Sequence, residues 1–138
     1  MSAPFTYQPG HFCWTEIATR DIDGAKKFFT ELFGWQVQSV PMPGEAGTYH
    51  LMQIDGKDVA GLYEMKGDMF EGVPPHMSSY IWTNDTDATA AKVKELGGTV
   101  VAEPFDVPMV GRMAVCQDPT GATFSLFHGD PHPGAAQG

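Results

Sequence analysis

The chain has 138 residues, enough for one compact domain that needs no disulfide or metal to fold. Eight lysines and arginines stand against 17 aspartates and glutamates, a net charge of −9, and the cations are scattered. That balance argues against a nucleic-acid partner and against binding to an anionic membrane surface. No apolar run approaches the roughly 18 residues that span a bilayer, and residues 1–10 lack a basic stretch followed by an apolar one. A cytoplasmic protein is expected. Cys13 and Cys116 share no close-spacing motif and read as buried thiols.

The elements follow in chain order. Residues 1–10 read as an arm. His11 to Ala18 is rich in aromatic and β-branched residues and predicts a strand. Asp21 is the expected N-cap of a helix to about Phe33, with Ile22, Ala25, Phe29 and Leu32 as its apolar stripe and Gly34 at the C′ position. Strands are expected at 35–40, 48–54 and 59–64. Pro41, Pro43 and Gly44 break the first pair, and Asp55-Gly56 signals a hairpin turn. Residues 65–75 read as a linker. Then the order repeats: a strand at 78–82, a helix capped by Asp85 and running to about Leu96, and strands at 99–102, 112–117 and 123–127. Residues 118–121 form the last turn, and the Pro/Gly/Ala-rich tail after 129 is expected to be mobile.

The halves match at a constant offset of 64. Thr19, Asp21 and Asp23 fall on Thr83, Asp85 and Asp87; Glu31, Leu32 and Gly34 fall on Glu95, Leu96 and Gly98. Val37, Gln53 and Leu62 fall on Val101, Gln117 and Leu126. Agreement in helix and strand regions alike indicates a duplicated βαβββ unit, over residues 11–64 and 76–128. One unit alone leaves a sheet face exposed, so two are expected to pack into a single domain.

Three segments, CWTEIATRDIDGAKKFFTELFGW, LGGTVVAEPFDVPMVGRMAVCQDPTGATFSLF and VAGLY, resemble the vicinal oxygen chelate superfamily of glyoxalases, bleomycin-resistance proteins and extradiol dioxygenases. The resemblance covers about residues 11–128. It implies an α+β fold in which two tandem βαβββ units curve a mixed β-sheet around a cleft, with the helices outside. It also implies a homodimer, since family clefts are often completed by a second pair of units. Metal-dependent relatives place four ligands on the first and fourth strands of each unit. Carried over by motif, those positions are Trp14, Gly61, Ser78 and Ser125, and none offers an imidazole or a carboxylate. No metal and no other cofactor is therefore expected at the family site.

Strand alternation from those four positions brings further residues to the cleft: Phe12 and Glu16 with Trp14, Tyr63 with Gly61, His76, Tyr80 and Trp82 with Ser78, and Phe127 with Ser125. Such an aromatic lining with few polar groups suits a small-molecule ligand, or else it simply fills the space between sheets. Glu16 and His76 either form an acid/base pair or are a solvated carboxylate and a loop-capping imidazole. A displaced metal site would have to draw on His76 and His50 with Glu16 or Glu64. Arg112 either clamps a ligand carboxylate or pairs with Asp106 or Asp118. Met65, Met69 and Phe70 in the linker suit a lid over a ligand, or else the segment is a plain surface loop. The leading expectation is a metal-free protein that binds a small aromatic or drug-like molecule, like the drug-sequestering members of the superfamily. The alternative is a lyase, isomerase or dioxygenase-like enzyme using a displaced metal or the Glu/His pair, and a third reading is an interaction module.

Overall fold

The structure, a computed structural model, describes residues 7–41, 47–107 and 110–129. The expectations for residues 1–6, Pro43, Gly44, His132 and the tail beyond Gly129 lie outside these residues, as does the side chain of Met69. The described elements are β1 (Phe12–Thr19), α1 (Ile22–Phe33), β2 (Gln36–Pro41), β3 (Thr48–Ile54) and β4 (Lys57–Glu64), then β5 (His76–Trp82), α2 (Thr86–Glu95), β6 (Thr99–Val107), β7 (Gly111–Gln117) and β8 (Thr123–Gly129). A single 3-10 turn covers Asp68–Phe70.

Both helices start by the same device. Asp21 Oδ1 accepts from the Gly24 amide at 2.9 Å, and Asp85 Oδ1 accepts from the Ala88 amide at 3.0 Å. In each case the threonine two residues earlier, Thr19 or Thr83, accepts the cap residue's own amide. These caps satisfy first-turn donors that have no partner within the helix. Gly34 ends α1 in the left-handed region at φ 72°, which a side chain would strain. Asp55 and Gly56 both have positive φ, as the two-residue turn between β3 and β4 requires.

The chain divides into two compact units, residues 14–77 and residues 7–13 with 78–129. In the first, the strand order is β2-β3-β4-β1, with β1 parallel to β4 and the other pairs antiparallel. Ile17, Met52, Ala60 and Leu62 form its buried core beneath Ile22, Ala25 and Phe29 of α1. In the second, the order is β5-β8-β7-β6, again with one parallel pair, β5 with β8. Ala114, Cys116 and Leu126 pack there against Ala90 and Val93 of α2.

The duplication extends to strand register. Glu16 pairs with Gly61 and Tyr80 with Ser125; His50 pairs with Leu62 and Ala114 with Leu126. Each second pair is the first displaced by 64 residues.

Several expectations are corrected. Leu32 is 56% exposed and lies outside the α1 stripe, because the aromatic rings of Phe29 and Trp35, 5.5 Å apart, already fill that end of the helix face. β6 does not stop at Ala102 but runs to Val107, passing Pro104 through two register shifts. An edge strand tolerates proline there because the missing N–H is not needed by a second neighbour. Met65, expected in the linker, is 4% exposed, and its amide donates to Thr19 O at 2.8 Å, so it extends the end of β4. Finally, the unit boundary is not the repeat boundary. Residues 7–13 belong with the second repeat: Gly10 N donates to Trp82 O and Trp82 N to His11 O.

Candidate functional site

The clustered core residues Ala60 and Leu62 of β4, and Ala114 and Cys116 of β7, occupy alternate positions, so the positions between them define the face opposite each helix. In residues 14–77, Ile17, Leu62 and Met52 point to α1. Trp14, Glu16, Gly61 and Tyr63 therefore share the other face, as strand alternation predicts, and Tyr49 of β3 joins them. Tyr49 Oη donates to Glu16 Oε2 at 2.6 Å and accepts from Trp14 Nε1 at 2.8 Å. Three side chains from β1 and β3 thus form one hydrogen-bonded relay, on a face that also carries Tyr63 of β4.

Gly61 makes the relay possible. A Cβ at this position would collide with Tyr49 Oη and Cζ. The phenol fills the volume that a side chain at position 61 would otherwise claim. Tyr49 carries no family motif and was not among the expected site residues. Its only signal in the sequence is a tyrosine at an outward position of β3, two residues from the register partner of Gly61.

The electrostatics follow from burial and from the carboxylate. Burial, then the Glu16 charge, pushes the Tyr49 phenol far above its ordinary value, so it stays protonated and donates. Burial first and Glu16 second raise Tyr63 to about 12. The Tyr63 ring lies 6.1 Å from that of Phe70, which places one expected lid residue against this face.

The equivalent face of the second unit is different. Displaced by 64, positions 14, 16, 49, 61 and 63 become Ser78, Tyr80, Met113, Ser125 and Phe127. Tyr80 Oη reaches Met113 Sδ at 4.0 Å, and the Tyr80 ring meets Phe127 edge-on at 6.3 Å. Ser125 is 3% exposed. Trp82, expected to line an open cleft, is covered instead. The Tyr7 ring stacks on it at 5.5 Å, Phe127 meets it at 5.9 Å, and its own Nε1 donates to Asn84. Phe12, at the start of β1, is 70% exposed.

Two polar expectations take other forms. Arg112 is held on the α2 side of β7, alongside the core positions Ala114 and Cys116. Its Nε and Nη2 donate to Asp87 at 2.7 and 2.9 Å, and Nη1 donates to Asp106 at 3.0 Å. Of the two expected partners, Asp106 is used. Asp118 is taken by its own turn, accepting from the Thr120 and Ala122 amides. His76 Nδ1 bonds Pro74 O at 2.8 Å, the loop-capping form, while Glu16 is engaged by Tyr49. His50, the other imidazole considered for a displaced ion, is buried on the α1 side with its Nδ1 2.8 Å from Ser39 Oγ, and burial lowers its pKa. Among the described residues, no group of three or more His, Cys, Asp and Glu side chains is arranged to hold a metal ion. Burial raises both thiols, Cys13 to about 11, so neither is an activated nucleophile.

None of the four positions at which the resemblance implies metal ligands carries an imidazole or a carboxylate. Position 61 has no side chain and its space is taken by a phenol. Trp14 offers only an N–H, and that hydrogen is committed to Tyr49. Ser78 and Ser125 offer neutral hydroxyls, weak ligands for zinc, iron, nickel or manganese.

Comparisons with known proteins agree on fold and ancestry. The chain is 40% identical over 129 residues to a putative glyoxylase of Mycobacterium tuberculosis, covering 94% of this chain and 49% of the relative. It is 35% identical over 132 residues to an anthracycline biosynthesis protein of Streptomyces peucetius, covering 88% and 48%. The chain thus spans about half the length of the curated relatives it matches. Among solved structures, a Streptomyces coelicolor methylmalonyl-CoA epimerase variant in complex with 2-nitronate-propionyl-CoA superposes with a TM-score of 0.63 at 20% identity, covering 87% of this chain and 97% of that one. A hypothetical protein from Bacillus halodurans gives 0.67 at 12%, covering 91% and 98%. At such identities the likeness is one of fold. No helix among the described residues is long and apolar enough to cross a membrane. The paired βαβββ units are explained by the pattern matched over residues 9–126: the chain belongs to the Glyoxalase/Bleomycin resistance protein/Dioxygenase superfamily.

Proposed function

We propose that the protein binds a small planar aromatic molecule on the face built by Trp14, Glu16, Tyr49 and Tyr63, and does so without a metal ion at the family position. The observation that carries this reading is the relay itself. At Gly61, one of the positions where the resemblance implies a metal ligand, the space is taken by a phenol that is bonded on one side to an indole N–H and on the other to a carboxylate. An apolar, aromatic surface with a few fixed polar atoms is the usual make-up of a small-molecule site. Its rings offer stacking worth about 0.5–1.5 kcal/mol beyond the area buried. The relatives named as anthracycline biosynthesis proteins support a fused-ring aromatic compound as the ligand class. A homodimer remains part of this proposal, on family grounds alone.

The test is a titration of the purified protein with a hydroxyanthraquinone, following the indole N–H resonance of Trp14 by NMR, together with elemental analysis. Saturable displacement of that resonance in metal-free protein is the expected result. About one bound ion per chain, lost in Glu16→Gln, would defeat the reading.

A second reading rests on the same carboxylate. Glu16, fixed at 2.6 Å by Tyr49, is oriented to accept a proton from a bound substrate, which would make the protein a metal-free isomerase or lyase. Turnover that disappears in Glu16→Gln while ligand binding persists would select it.

A further inference from the structure

We propose that residues 67–72 are a hinged lid over the Tyr63 end of the aromatic face and that Arg20 is its latch: the guanidinium holds Phe70 down, and its release opens the face to a small molecule. What enters rests on the binding reading above. The lid itself is visible in ligand-free protein, so the two fail separately.

The segment is anchored at both ends and exposed between them. On one side Met65 is buried and its amide is held by Thr19 O. On the other, His76 opens β5 and bonds back to Pro74 O. Between these points Lys66, Gly67, Asp68, Glu71 and Gly72 are exposed, whereas Phe70 is half-buried. Its ring meets that of Tyr63 at 6.1 Å, tilted by 52°. Burial is also the first cause of the raised Tyr63 pKa, as a cover over the phenol would produce.

The turn is built to move as one piece. Phe70 N donates to Gly67 O at 3.2 Å and Glu71 N to Asp68 O at 3.0 Å, so it carries its own hydrogen bonds. Gly67 at φ 92° and Gly72 at φ 77° flank it, and a Cβ at either would meet nothing within 4 Å. Conformation, not packing, calls for glycine at both positions, and such residues absorb a change of chain direction with least strain.

Arg20 fastens this piece from the junction of β1 and α1. Its Nη2 donates to Phe70 O at 2.7 Å. Arg112 is tied to the carboxylates of Asp87 and Asp106, whereas Arg20 is exposed and this partner is a neutral carbonyl. Phe70 O also accepts from the Val73 amide at 3.0 Å. When the guanidinium leaves, the carbonyl keeps a donor and the guanidinium gains water, so opening strands neither group. Arg20 is thus a positioning residue that acts through Phe70.

The experiment compares the wild-type chain with Arg20→Met, Arg20→Lys and Phe70→Ala. NMR follows native-state amide exchange and the broadening of the Tyr63 ring resonances by the soluble nitroxide TEMPOL. In Arg20→Met the Phe70, Glu71 and Val73 amides should exchange about 10-fold faster, a low value for a hydrogen bond with one charged partner. Broadening of Tyr63 should rise toward that seen in Phe70→Ala. Arg20→Lys keeps a cationic donor and should restore part of the protection, while Ile17 and Leu62 should exchange as in the wild type. Failure of Arg20→Met to fold, or faster exchange at Ile17 and Leu62 as well, would make Arg20 a support of the core and overturn the latch. Unchanged exchange at the three turn amides would also overturn it. A Tyr63 ring no more accessible in Phe70→Ala than in the wild type would overturn the lid.

Discussion

The two repeats share backbone addresses but not surface chemistry. Glu16, Tyr49 and Gly61 correspond to Tyr80, Met113 and Ser125, and in both units the residue at the first address contacts the residue at the second. In one unit the contact is a short bond between a phenol and a carboxylate. In the other it joins a phenol to a thioether, in an apolar setting beside Phe127. On the helix-facing sides Leu62 and Leu126 occupy equivalent core positions at 0% and 4% exposure, while Met52 corresponds to Cys116. Duplication has kept the helix caps, the strand register and the leucine at this core position, while the opposite face has changed its chemistry. A side chain packed under a helix is constrained by volume from all directions, whereas the opposite face can trade one chemistry for another without disturbing the core.

Four measurements would sharpen or break this comparison. The largest effect is expected in the core, and it should be symmetric: Leu62→Ala and Leu126→Ala should each cost about 2–5 kcal/mol in denaturant unfolding. A clear inequality would mean that the two cores are not equivalent. The second is asymmetric. Gly61→Ala places a methyl group against Tyr49 and should cost about 1–3 kcal/mol, whereas Ser125→Ala at the matching address adds no bulk. The cost of Gly61→Ala should largely disappear in a Tyr49→Ala background; if it persists, the close approach is not its cause. The third returns to symmetry. Asp21→Ala and Asp85→Ala each remove a cap and should each cost about 1 kcal/mol in thermal unfolding.

The smallest effect is in titration. Tyr63 has a pKa of about 12, above the ordinary 10.0, through burial and then the charge of Glu16. A raised folded-state value means that the contribution to stability is full below about pH 10 and fades as pH rises through 12. Glu16→Gln removes the negative charge and should move the Tyr63 midpoint down toward 10, as read by ultraviolet difference spectroscopy. An unmoved midpoint would separate Tyr63 from the relay's field.

Legibility in the sequence followed the range of the interaction. The caps at Asp21 and Asp85, the stop at Gly34 and the turn at Asp55-Gly56 are local events, and each was readable from a few neighbouring residues. Alternation then assigned Trp14, Glu16, Gly61 and Tyr63 to one face. Tyr49 escaped because its role depends on a partner twelve residues away having no side chain, and because its counterpart, Met113, shares nothing with it that a repeat comparison would register. Arg112 was readable as a ligand clamp or as a partner of Asp106 or Asp118; its further partner, Asp87, is delivered by the first turn of α2. Trp82 was misjudged because its cover, Tyr7, comes from the far end of the sequence.

That last contact has a consequence for how the chain is made. Tyr7 stacks on Trp82 and also donates to Cys13 O, and Gly10 and His11 pair with the Trp82 backbone. Residues 7–11 therefore have partners that leave the ribosome much later than they do. At synthesis rates of about 5–20 residues per second, the amino-terminal arm must wait several seconds for the second repeat to emerge, while the first repeat can already close around its own core. A ribosome stalled before Trp82 would accordingly carry residues 7–11 without the strand they dock against.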